Sequence, residues 1–146
     1  MKKEDLQESR VKAVLGEDEE PPVSEETVKR FCEHLKKHLK FPFEVTGIED
    51  FDWEEFYVMG PGEKLEYERL KKTQPSHKDR YDLLEIDLEA DSEWMLFSDE
   101  DIPALVRRKS DGRQFYLGLA ELEATDRKSN SYQLLDDYAV WFVNNR

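Results

Sequence analysis

Tyr81-Asp82-Leu83-Leu84-Glu85-Ile86-Asp87-Leu88-Glu89-Ala90-Asp91-Ser92-Glu93 carries the pattern that decides the fold. Leu84, Ile86 and Leu88 alternate with Glu85, Asp87 and Glu89, and Asp91 and Glu93 continue the acidic register. A period of two belongs to a strand with one face in a core and the other in water. The stretch therefore predicts a sheet whose solvent side is a row of carboxylates. Downstream, Ala104-Leu105-Val106-Arg107 and Gln114-Phe115-Tyr116-Leu117 flank Ser110-Asp111-Gly112, and the Asp-Gly step predicts a tight hairpin turn. Upstream, Phe41, Phe43 and Val45 alternate with Glu44 and Thr46 and predict another half-buried strand. Phe56-Tyr57-Val58 reads as a short strand before Gly60-Pro61-Gly62, and Lys64 to Lys72 reads as helix or strand, with helix preferred.

Helical spacing brackets this β region. Val28, Phe31, Cys32, Leu35 and Leu39 form one apolar stripe. Ser24 is a good N-cap, Glu25 and Glu26 suit the helix dipole, Val23 with Val28 fits a hydrophobic staple, and Pro42 ends the run. Tyr132, Leu135, Tyr138, Ala139 and Phe142 predict a closing helix that covers an open end of the sheet. Before Pro21-Pro22 the chain is charged, and Val11, Ala13, Val14 and Leu15 are too few to fold alone. The expectation is a flexible acidic arm over 1–22, disordered or loosely helical, whose small apolar cluster could dock on something, and a single α+β domain over 23–146, with a small antiparallel sheet between an N-terminal and a C-terminal helix.

The 146 residues supply one core, and 8 Phe, 6 Tyr and 3 Trp make it aromatic. Lys and Arg number 22 against 35 Asp and Glu, a net charge of -13. That charge repels phosphate backbones and anionic lipid, so neither nucleic acid nor membrane is an expected partner. A cation or a basic protein surface is. The lone Cys32 excludes an internal disulfide framework, and the charged start lacks a secretory pattern, so a cytoplasmic location is expected.

Same-face residues two apart on a strand lie roughly 6 to 7 Å apart. At 7 Å two like charges repel by about 0.6 kcal/mol in water, or about 2.4 at an effective dielectric of 20. Calcium, which takes six to eight oxygens, relieves such repulsion. Glu89 and Asp91, with Asp99, Glu100 and Asp101 in the following loop, are the candidate metal ligands. Asp87 and the Glu49, Asp50 and Asp52 group are reserves. The alternative is a solvated acidic face, or one that docks a basic protein with no ion.

An EF-hand is excluded. A loop starting at Asp87 puts Ser92 where glycine is required and Ser98 at the terminal acid position, and one starting at Glu89 puts Trp94 at the sharp turn. His34 and His38, beside Cys32, have zinc-like spacing but no third ligand, and read as boundary histidines. Ser76-His77 reads as a loop dipeptide. One of Asp136 and Asp137 is expected to face away from the core, and the other to cap or pair with a basic residue. No phosphate loop or nucleophile motif is present, so an enzyme is not expected.

Leu39-Lys40-Phe41-Pro42-Phe43-Glu44-Val45, Phe115-Tyr116-Leu117 followed by Leu119-Ala120-Glu121-Leu122-Glu123, and the closing run from Leu135-Asp136-Asp137-Tyr138 to Arg146 together resemble the cyanobacterial, CcbP-like family of non-EF-hand calcium-binding proteins. The match covers residues 24–48 and 81–146. The resemblance implies a compact antiparallel sheet, partly rolled into a small barrel, with terminal helices, and a role in calcium buffering or signalling. It supplies no ligand set.

Overall fold

The computed structural model describes residues 3–146, with side chains from Leu6 onward. Residues 1–22, expected as a disordered or loosely helical arm, contain a helix, α1 (Lys3–Leu15), that is docked and not loose. Val11 and Leu15 are each 1% exposed, and the Arg10 guanidinium grips Asp137 at 2.8 and 3.0 Å. Gly16, at φ 69°, ends the helix in the left-handed conformation that glycine tolerates. The linker is then tied to the far end of the chain: Trp141 Nε1 donates to Pro21 O, and Val23 N to Asn145 O. Two apolar residues a turn apart cannot hold a helix alone, so α1 owes its order to α2 and α5, which sequence periodicity cannot see.

The first strong helical signal forms as read. In α2 (Glu25–His38) Ser24 and Thr27 cap each other reciprocally, and Val28, Phe31, Cys32 and Leu35 are buried. The last helix, α5 (Asn130–Asn144), buries Leu135, Tyr138, Trp141 and Phe142. Phe31 of α2 meets Tyr138 and Trp141 with ring centres 5.2 and 5.3 Å away.

Among the described residues five strands, β1 (Phe43–Gly47), β2 (Arg80–Ile86), β3 (Pro103–Arg108), β4 (Gln114–Gly118) and β5 (Leu122–Ala124), form an antiparallel sheet in the order β4-β3-β2-β1-β5. The expected β3–β4 hairpin is present, with Gly112 at φ 77° in its turn. Its connection to β5 forces the sheet to curl. Four steps of roughly 4.8 Å would separate the edges of a flat sheet by about 19 Å. From Gly118 to Leu122 the chain reaches at most about 14 Å. The sheet is therefore rolled but not closed, and α5 packs on β5 and on the 3-10 turn Leu119–Glu121.

Two sequence expectations fail inside this frame. The register of β2 slips between Leu83 and Glu85, so Tyr81, Leu83 and Ile86 are buried while Leu84 is half-buried and Leu88 is exposed. A bulge inserts one residue and reverses the alternation after it. The strand also stops at Ile86, so Glu89, Asp91 and Glu93 lie in the 87–102 loop and not on a strand face. Phe56–Val58, expected as a strand, belongs to the short helix α3 (Glu55–Val58), where Tyr57 stacks on Tyr67 of α4 (Lys64–Leu70) at 5.5 Å. The fully buried Glu54 binds this segment together, accepting from Phe51 N, Tyr67 OH, Ser76 Oγ, His77 N and His77 Nδ1. Arg108 of β3, 2% exposed, caps the carbonyls of Lys71, Lys72 and Gln74 and pairs with Asp79 and Asp111.

Candidate functional site

Once β2 ends, acidic side chains shape the loop. Asp87 Oδ1 accepts Glu89 N at 2.9 Å and Asp91 Oδ1 accepts Ser92 N at 2.8 Å, local turns that short acidic side chains favour. The returning arm, Ser98 to Asp101, lies opposite Leu88 to Ala90 across a cleft of about 490 Å³, whose third wall is the start of α2. Four of the five expected ligands, Glu89, Asp99, Glu100 and Asp101, border this cleft together with Glu25, and Lys29 is the one cation among its lining residues.

The five carboxylates are not equivalent. Glu89, Asp91, Asp99 and Glu100 are exposed, and Asp91 does not line the cleft. Glu100 pairs with Arg146 at 3.0 Å. Asp101 is turned inward, 4% exposed, and accepts from Tyr138 OH, Ile102 N and Ala120 N. Of the reserves, Asp87 is spent on its turn, Asp52 is exposed, and Glu49 and Asp50 border a different cavity. Among the described residues no three Asp, Glu, His or Cys side chains converge as a metal cage would. His34 and His38 have ring centres 4.4 Å apart beside a cavity that also has Arg10 and Asp137 in its wall.

Behind the cleft lies a feature the sequence reading missed. Asp101 and Glu121 approach each other over Gly118, where a Cβ would sit 2.5 Å from Asp101 Oδ2 and 2.6 Å from Glu121 Oε2. Burial pushes both carboxyls up to about 7. Three donors on Asp101 oppose that push, whereas the charge of Asp101 adds to it at Glu121. The two acids therefore titrate as a coupled pair, both raised by burial, with main-chain donors from Leu96 and Gly118 opposing the rise at Glu121. An acid set among Leu119, Ala120 and Leu122 was the available signal.

Fold and site together describe a strongly acidic α+β protein with a rolled, open sheet and a carboxylate-lined cleft. No family model and no curated protein matches the sequence. The fold is similar to the crystal structure of Anabaena CcbP, with a TM-score of 0.59 over 99% of this chain and 94% of that one, at 16% sequence identity. At that identity the likeness is one of fold. Among the described residues no helix is long and apolar enough to cross a membrane.

Proposed function

We propose that this protein binds calcium, as a buffer or sensor, through the carboxylates around the 87–102 loop, and that it acts by binding and not by catalysis. The observation that carries the reading is the gathering of Glu89, Asp99, Glu100 and Asp101 at one cleft, from the two ends of a single loop. Hard carboxylate oxygens are the donors calcium selects. Glu89, Asp99 and Glu100 are exposed and can turn toward a common ion, with water and main-chain oxygens completing its shell. Asp101 would have to leave Tyr138 to join them, and Asp91 would have to move in from outside the lining. The fold shared with Anabaena CcbP supports the reading, because the sequence motifs resemble the calcium-binding family of that name.

A second reading, an acidic module that docks a basic protein without an ion, draws support from the lack of three convergent ligands among the described residues. Isothermal titration separates the two. Saturable heat with calcium, weakened about tenfold or more by Asp99→Asn with Glu100→Gln, is the expected result. No heat at millimolar calcium would remove the calcium reading and leave the second.

A further inference from the structure

The 87–102 loop turns Leu96 and Phe97 toward a second cavity of about 500 Å³, bordered on its other side by α5. Asp136, Ala139, Val140 and Val143 of α5 face it, a one-sided helical set distinct from the buried Leu135, Tyr138, Trp141 and Phe142. A helix apolar on both sides is normally covered on both. Here Ile48, Leu96, Val140 and Val143 stand 44%, 46%, 37% and 62% exposed. The rim is acidic: Glu49, Asp50 and Asp136 are its charged residues, Glu121 adds a fourth carboxyl, and no Lys or Arg is among the lining. Among the described residues none of the four has an ion-pair partner; Asp136 accepts only from Gln7, and Glu121 from main-chain N–H groups.

We propose that this groove docks a basic amphipathic helix of a partner protein. Apolar side chains spaced one helical turn apart would cover Val140, Val143, Leu96 and Ile48, and flanking Lys or Arg would meet Glu49, Asp50 and Asp136. Charge complementarity fixes the occupant: the rim attracts a basic segment and repels an acidic one of equal hydrophobicity. The inference does not depend on calcium, so its test runs in EDTA.

The isotopically labelled full chain is titrated with a synthetic helical peptide bearing Leu at i, i+3, i+4 and i+7 and Lys elsewhere. Amide shifts should be confined to residues 48–50, 96–97 and 136–144. Affinity should fall about tenfold or more in Val140→Ser with Val143→Ser, and in Glu49→Gln with Asp50→Asn, and should weaken with salt. These side chains lie at the surface, and an unchanged amide spectrum outside the groove verifies the fold of each variant. Shifts centred elsewhere, affinity unaffected by the serine pair, or equal binding of the peptide with Glu in place of Lys would overturn the proposal. So would concentration-dependent dimerisation lost in the serine pair, since the occupant would then be a second copy of the chain.

Discussion

Glu54 and the Asp101–Glu121 pair take carboxylates out of water in two different ways. Glu54, beneath the 49–80 segment, stands alone: burial alone would raise its pKa, but the bonds from Tyr67, Ser76, His77 and Phe51 outweigh it and hold the carboxyl below the usual range. At Gly118 two acids share one buried space, and Asp101 and Glu121 are both pushed up to about 7. The difference lies in donors per charge and not in burial. One carboxylate with five donors is held below the usual range, whereas two acids that divide five donors between them are both raised.

The largest effect should come from breaking the bonds to Glu54. Glu54→Gln removes the charge and puts an NH2 where one acceptor oxygen stood, so that either Tyr67 OH and Ser76 Oγ must turn to accept or the N–H groups of Phe51 and His77 lose their acceptor. A loss of roughly 3 kcal/mol in urea denaturation is expected. A change within experimental scatter would mean that the 49–80 segment is held by its aromatic contacts and not by Glu54. Gly118→Ala attacks the pair instead. Its methyl group must displace both Asp101, which is pinned by three donors, and Glu121, at an expected cost of about 1 to 3 kcal/mol. Part of that should be recovered when Glu121→Ala is added, because one of the two clashes is then removed. Strict additivity would show that the acids do not meet over Gly118.

The smallest effect sharpens the contrast through pH. A carboxyl that binds its proton more tightly when folded contributes stability that is complete below the unfolded range, about 4, and lost as pH rises through the folded value. With both members raised to about 7, the pair makes the protein less stable as pH climbs from acid to neutral. Glu54 has the opposite sign: its contribution is present above the unfolded value and lost as pH falls through the depressed folded one. Glu121→Gln should therefore flatten the decline toward neutral pH and leave the acid limb intact. Melting temperatures recorded from about pH 2 to 8 provide the check.

Much of this architecture was legible in the chain. The α2 stripe from Val28 to Leu39, the Asp111-Gly112 hairpin and the aromatic face of α5 are local signals with local causes, and each forms where it was read. The bulge at Leu84 was not legible, since one inserted residue leaves the composition unchanged and flips the faces after it. Nor was the place where α1 docks, which depends on Asp137 lying more than a hundred residues away in sequence. For the site, proximity in sequence identified the right loop but assumed the wrong geometry. Glu89 reaches the cleft from a turn and not a strand, and Asp101 faces the core beside Glu121.

Exposed Glu89, Asp99 and Glu100 lack the set of buried donors that holds Glu54. Beyond the Arg146 guanidinium on Glu100 and Lys29 in the cleft wall, their mutual repulsion is relieved by solvent, salt or a bound cation. Melting temperature in calcium, against EDTA and against magnesium at equal ionic strength, measures that most directly. At one hundred times the dissociation constant calcium should add about 2.7 kcal/mol, seen as an upward shift of several degrees that Asp99→Asn with Glu100→Gln abolishes. Identical melting curves in calcium and EDTA, or a shift that magnesium reproduces and the double variant retains, would contradict a calcium site at this cleft.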